Sequence, residues 1–313
     1  MRRLNNPERG ASAVLVAILM VTLLGFSALA IDLNALWWDK QELQNGADAS
    51  ALAIATDCAH GACSTATNQV TAGRLTKGNK QDANATVDRI DLTEAHRVTV
   101  TVASLRDHWL APVLGIDAST VQAAASAVWG GIGGATTLPL ILSQCEFERT
   151  VLDSPTGIVR VSGKTLDDTT GCRLGQTPHF VPGGFGWLTT DGSGVCKASL
   201  SVDDWANSST GNTTPKGCPD DLLKKTLAPG NEVLVPLFDE ARGTGAGATY
   251  HVAGYAALKI TAFCLTNSVA SPDTKCTGSE RWLEGRFVTY VATDAVRGDV
   301  PDHFGTVTIS LDR

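Results

Sequence analysis

The sequence predicts an α+β protein. A long N-terminal helix leads into a segment of helix and strands, and a mainly antiparallel β domain follows. Three observations predict this. Residues 11–31 are an uncharged, proline-free apolar run. A helical rhythm of small residues continues beyond it, in LQNGADASALAIA at 43–55. From residue 138 onward, short β-branched and aromatic runs alternate with clusters of Gly, Pro, Asp and Asn.

The first run, ASAVLVAILMVTLLGFSALAI, has 21 residues. It spans about 31 Å as a helix, close to the hydrocarbon thickness of a bilayer. A cleaved secretory signal has an apolar core of only about 7–15 residues. The end of this run, Leu29-Ala30-Ile31-Asp32, is also a poor small-x-small cleavage site, so the run reads as a retained transmembrane helix. Arg2, Arg3 and Arg9 precede it, and Asp32 and Asp39 follow it. The positive-inside bias then places residues 1–10 in the cytoplasm and the body outside. Trp37 and Trp38 fall where amphipathic rings favour the headgroup level. The net charge is −7, and the first ten residues carry +2, which leaves −9 on 32–313. An acidic body without a basic face argues against nucleic acid as a partner.

Beyond Asp32, apolar or small residues recur at Leu33, Leu36, Leu43, Ala47, Ser50 and Ile54. This is one helical stripe if Lys40 is admitted to the series. Alanines at 49, 51, 53 and 55 favour helix, and only Gly46 opposes it, at about 1 kcal/mol. One helix is therefore expected from 11 to about 57, its second half in water. The stripe Leu36, Leu43, Ala47 and Ile54 is the candidate surface for docking another helix, because small residues let backbones approach closely. Packing on this chain's own domain is the equal alternative.

Residues 67–76 are expected as a short helix with Asn68, Gln69 and Arg74 outward. HRVTVTVAS (96–104) is expected as a half-buried strand with Val98, Val100 and Val102 on one face. WLAPVLGI (109–116) reads as a short helix and turn, and STVQAAASAVWG (119–130) as a strand in preference to a helix. GGIGGATT (130–137) reads as a linker. The expected division is therefore 1–10, 11–31, 32–130, a Gly-rich linker at 131–137, and a β-rich domain at 138–313. Strands are expected at 138–142, 157–162, 185–189, 232–238, 250–263, 286–292 and 306–311. One helix is expected at 219–228, acidic in its first turn and lysine-bearing later.

All eight cysteines lie after the apolar run: Cys58, Cys63, Cys145, Cys172, Cys196, Cys218, Cys264 and Cys276. An even count confined to the exported side fits disulfides in an oxidising compartment. Eight cysteines allow 105 pairings. Neighbour pairing is the simplest: 58–63, 145–172, 196–218 and 264–276. Zinc needs tighter Cys-x₂₋₄-Cys pairs, and only Cys58-x₄-Cys63 comes near.

Residues 8–55 resemble the N-terminal segment of the tight-adherence (Tad) pilus-assembly proteins, the TadE/TadG-like group. The resemblance rests on Glu8-Arg9-Gly10, on Ala30-Ile31-Asp32 closing the apolar helix, and on Leu43-Gln44-Asn45-Gly46-Ala47-Asp48-Ala49-Ser50. Gly46 stands where that pattern has Ala. The helix-strand-strand order after the long helix is pilin-like by analogy only. Type IV-like pilins carry a Glu five places after the cleaved Gly, whereas here that place is Leu15. The resemblance thus implies an uncut, anchored component of a Tad/Flp pilus or secretion apparatus that acts by packing. Its expected partners are the membrane and other pilus-assembly or secretion-system membrane proteins.

No catalytic constellation, cofactor motif or metal site is expected. Asp191-Gly192-Ser193-Gly194-Val195 departs from an Asp-x-Ser-x-Ser adhesion site at Val195, and Gly243–Gly247 lacks the Lys-Ser/Thr of a P-loop. Arg297-Gly298-Asp299 reads as a loop. His96, His108, His179, His251 and His303 are scattered, while Asp203-Asp204 and Asp220-Asp221 read as a loop and a helix start. The sequons at Asn84, Asn207 and Asn212 mark surface loops. Two rival classes remain: a surface adhesin or ligand-binding module using Trp187, Trp205 or Trp282, and an anchored extracytoplasmic hydrolase with converging Asp or His side chains.

Overall fold

The computed structural model describes residues 8–153, 157–162, 185–209, 214–243, 245–266, 268–272, 274–276, 281–292, 294–298 and 304–312. It shows a long N-terminal apolar helix followed by two mixed, mostly antiparallel β-sheets, an α+β architecture. The chain divides into two compact units, residues 1–128 with 310–313, and residues 129–309.

The first unit opens with helix α1, Glu8–Ala59, 52 residues without a break. Its length is about 78 Å at 1.5 Å per residue. Gly61, at φ +75°, ends it: the Gly61 N–H donates to Cys58 O at 3.0 Å and the Ala62 N–H to Asp57 O at 2.8 Å. That pair of bonds is a Schellman cap. Helix α2, Thr65–Gly78, turns back against α1. Strands β1 (Thr86–Asp91) and β2 (Arg97–Asp107) pair antiparallel, and β2 pairs antiparallel with the first part of β3 (Ala118–Thr137). Val98, Val100 and Val102 are buried on the face of β2 beneath α1, as their alternation predicts. A 3₁₀ turn at Ala111–Leu114 joins β2 to β3. Within α2, Gln69 and Arg74 are exposed, but Asn68 is buried, contrary to expectation. Its side-chain amide faces Cys63 Sγ at 3.9 Å, at the start of the helix.

The second unit contains the rest of β3, then β4 (Leu140–Ser143), α3 (Gln144–Asp153), β5 (Val159–Ser162) and β6 (Phe185–Trp187). There follow β7 (Ala198–Ser201), β8 (Trp205–Asn207), α4 (Asp220–Thr226), β9 (Glu232–Arg242) and β10 (Thr249–Cys264). The last strands are β11 (Trp282–Val288), β12 (Tyr290–Ala292), β13 (Val296–Arg297) and β14 (Thr306–Asp312), whose residues from 310 onward belong to the first unit. One sheet has the order β5-β11-β10-β9-β4-β6, with β8 beside β10. The long β9–β10 hairpin is its spine, and among the described residues β4–β9 is its one parallel pairing. Trp187, Phe238 and Phe263 are among its largest fully buried side chains.

Residues 131–137, expected as a linker, are strand. Ile132 and Gly134 pair with β13, and 134–137 pair with β7. The glycines serve close approach rather than freedom: a Cβ on Gly133 would lie 2.6 Å from Gly298 Cα. Helix α3 was not anticipated. Its sequence, QCEFERTVLD, follows directly on the strand run LILS, and no turn signal separates them.

Tyr255 holds the second part of β3 to β7. Its hydroxyl donates to Leu200 O at 2.6 Å and accepts from the Ala135 N–H at 3.1 Å. Burial pushes the phenol up to about 12, with the Asp204 charge adding to burial and the Ala135 bond opposing both. Replacing it by Phe removes the hydrogen bonds of the hydroxyl to Leu200 O and from Ala135 N–H, which costs about 1–3 kcal/mol. The raised folded pKa means that stability present below about pH 10 is lost as pH rises toward 12. Tyr255→Phe is therefore expected to lower the urea midpoint at pH 8 and to flatten its decline above pH 10. Urea unfolding across that range reads both effects.

Candidate membrane-proximal site

The site is built where α1 leaves its apolar run. From Val14 to Ile31 the large side chains are exposed, Val21 at 71% and Phe26 at 67%, so nothing in the described chain covers them. This is the one described helix long and apolar enough to cross a membrane. From Asp32 the same helix becomes the core of the first unit. Its buried positions are Asp32, Asp39, Leu43, Gly46, Ala47, Ser50, Ala51, Ile54 and Ala55, which follow the 3–4 spacing. The series thus passes through Asp39, not Lys40, which is exposed.

Both aspartates are satisfied by the first unit itself. Asp32 is 5% exposed, and its carboxylate accepts from three consecutive backbone N–H groups: Trp109 at 3.0 Å, Leu110 at 3.1 Å and Ala111 at 2.8 Å. It thereby caps the 3₁₀ turn. Asp39 accepts from Lys80 Nζ and from Ser104 Oγ at 2.5 Å. Lys80 also reaches Asp82 at 3.0 Å, and its side chain is 2% exposed. Burial alone would depress the Lys80 ammonium, but the hydrogen bonds and charges of Asp39 and Asp82 outweigh it and hold the group above its ordinary value. One buried ion pair therefore joins α1, the end of α2 and β2.

Farther along, α1 and α2 cross closely. Ser50 Oγ contacts Gly46 O at 2.6 Å, Ala72 O at 3.3 Å and Thr76 Oγ1 at 3.3 Å. A Cβ on Gly46 would stand 3.1 Å from Thr76 Cα, which explains why Gly occupies a helical position. The proposed docking stripe is consequently spent inside the chain. Leu43, Ala47 and Ile54 are fully buried, and Leu36 is half-buried. Packing within the first unit accounts for Leu43, Ala47 and Ile54, while Leu33 and Trp37 lie on exposed faces of α1.

Three of the expected disulfides form: Cys58–Cys63 at the end of α1, Cys196–Cys218, and Cys264–Cys276. Cys145 is disulfide-bonded too, and its expected partner Cys172 lies outside the described residues, as do His179, His303, Asn212 and Asp299.

The markers of the rival classes behave differently. Trp187 is buried, Arg242 lies 3.8 Å over the Trp205 ring, and Arg160 lies 4.0 Å over Trp282. The fold does bring His251 Nδ1 to Asp239 at 2.7 Å, with Trp205 against the ring. Strand register across the β9–β10 hairpin makes that pair, and sequence spacing hid it. Asp191 accepts from Ser199 N–H and Oγ at 2.9 and 2.8 Å, which closes a turn. Asp220 and Asp221 open α4. Among the described residues no group of three or more His, Cys, Asp or Glu is placed to hold a metal ion.

These features define a chain with one exposed apolar helix that turns, without interruption, into the core helix of a folded unit. Residues 10–57 match the family described as putative Flp pilus-assembly TadE/G-like, so the N-terminal segment is TadE/G-like. No curated protein and no solved structure matches the chain.

Removing Asp39 leaves the buried Lys80 ammonium with the more exposed Asp82 as its close partner, so Asp39→Ala is expected to cost about 3 kcal/mol, the low end for a broken buried pair. The raised Lys80 pKa adds a pH signature. Its stabilisation is complete below about pH 10.4, the unfolded value, and is lost as pH rises through the folded one. Denaturant melts of wild type at pH 8 and pH 11 should differ more than those of the Asp39→Ala variant. Ala47→Glu buries a charge at a fully buried position of α1, and limited proteolysis should then cut within 60–80, a stretch expected to resist in wild type.

Proposed function

We propose that this protein is a membrane-anchored component of a Tad/Flp-type pilus-assembly or secretion apparatus that acts by protein–protein packing rather than catalysis. The observation that carries the reading is the single helix α1, TadE/G-like over 10–57, whose large side chains from 14 to 31 are exposed and apolar while one face of 39–55 is core. Water is a poor environment for the first half, at about 25 cal/mol per Å² of apolar surface, and a bilayer or partner membrane helices are good ones. Arg2, Arg3 and Arg9 before the run favour a cytoplasmic N-terminus, and disulfides in both units favour an extracytoplasmic body.

Because Leu43, Ala47 and Ile54 are occupied, docking to other pilus-assembly membrane proteins falls to the exposed faces of 14–31 and to Leu33 and Trp37. The adhesin reading needs an open aromatic patch, and Trp205 and Trp282 are instead stacked under arginines.

In cells that build such pili, deleting the gene is expected to abolish surface filaments. Intact mass should find the full-length chain in membranes and not among sheared filaments. A chain that begins at Ala11 and is abundant in the sheared fraction would make it a pilin-like subunit and overturn the assignment.

A further inference from the structure

A ladder of contacts in the first unit fixes the direction of the β2–β3 hairpin relative to α1. Gln44 Nε2 donates to Ala124 O at 3.1 Å, and Lys40 Nζ donates to Gln122 O. Asp39 meets Ser104, and Asp32 meets the backbone of Trp109 through Ala111. Stepping back along the helix from 44 to 32 therefore means stepping along both strands toward their turn. Asp32 is the first residue after the apolar run. The turn thus lies at the level where α1 becomes apolar, about 8 Å nearer the apolar segment than Trp37 at 1.5 Å per residue.

That turn is apolar and exposed. Trp109–Ile116 contains no charged residue. Trp109 is 75% exposed, Val113 88% and Ile116 51%. It is also a fixed shape rather than a loose loop. His108 N–H donates to Asp117 O at 2.9 Å across its base, Gly115 at φ +81° donates to Pro112 O at 3.0 Å, and Ile116 N–H donates to Ala111 O. Asp32 supplies the three further bonds described above. A rigid apolar wedge beside a membrane span is the pattern of an interfacial anchor, in which Trp sits at the headgroup level.

We propose that the β2–β3 turn, led by Trp109 and Val113, inserts into the headgroup–acyl boundary of the bilayer as a second membrane contact, with Asp32 locking it to the end of the span. The proposal rests on the membrane-anchoring reading. It gives the first unit a fixed stance on the membrane, because two contacts prevent the swivelling that a single helix allows.

The test uses full-length protein carrying Trp37→Phe and Trp38→Phe, in phosphatidylethanolamine–phosphatidylglycerol vesicles whose acyl chains are brominated near the headgroup. Vesicle flotation is scored in the same samples. The brominated lipid should quench part of the tryptophan emission, and the further change Trp109→Phe, which keeps an apolar ring, should reduce that quenching to background. Val113→Asp, at an open position, should reduce it as well while flotation persists. Protein that floats and shows no quenching dependent on Trp109 would overturn the wedge and leave the anchor standing; a turn covered by a partner protein rather than lipid would give that result. Protein that fails to float would overturn the anchor and the wedge together.

Discussion

The rest of the structure depends on one constraint: α1 must stay helical across the point where its surroundings change from apolar to folded protein. At that point a helix whose preceding residues are exposed and apolar needs partners for its first polar side chains. Asp32 and Asp39 meet this need by accepting hydrogen bonds from the unit that folds around them, the first from three backbone amides and the second from Lys80 and Ser104. Each carboxylate is desolvated and each is fully engaged, the condition under which a buried charge specifies an arrangement instead of opposing it. Together they set the register of β2 and its turn against the helix, and Gly46 with Ser50 sets the crossing of α2.

This explains what the sequence made legible and what it did not. The apolar run, the continuation of the helix, the valine alternation of β2 and the longer strands of the β domain each follow from local pattern, so they could be read directly. The role of the stripe could not. Leu43, Ala47 and Ile54 are what any helix–helix contact requires, and nothing local distinguishes a partner's helix from the chain's own α2 and β2. In the sequence the two aspartates read only as charges that follow the apolar run, although 32, 39, 43, 47, 50 and 54 share one face. The missed signal is a charge repeated on an apolar stripe, which implies a buried partner, here Lys80, 41 residues away. GGIGGATT was read as a linker because glycine clusters are loop-like in composition. Its use in β3 depends on Gly298, which reaches Gly133 from a distant part of the chain.

The site therefore has the character of a mechanical part. Its groups are saturated by one another: carboxylate by amides, ammonium by carboxylates, helix by helix. The large exposed apolar surfaces of the first unit are residues 14–31 of α1 and the turn at 109–116. Such surfaces act by what they bury against, and the proposed packing role of the TadE/G-like segment rests on them. The His251–Asp239 pair of the second unit is half-exposed and flanked by Trp205, a pairing that a hairpin register produces without any further requirement.

The most direct test of this account is amide hydrogen exchange, read by mass spectrometry on the full-length protein in lipid nanodiscs, along residues 11–57. One helix shared between bilayer and folded unit predicts an unbroken run of slow amides through 30–42, at least as slow as those of α2. A fast-exchanging stretch between Asp32 and Asp39 would mean that the helix breaks at the membrane surface, and the anchor and the core would then be separate elements.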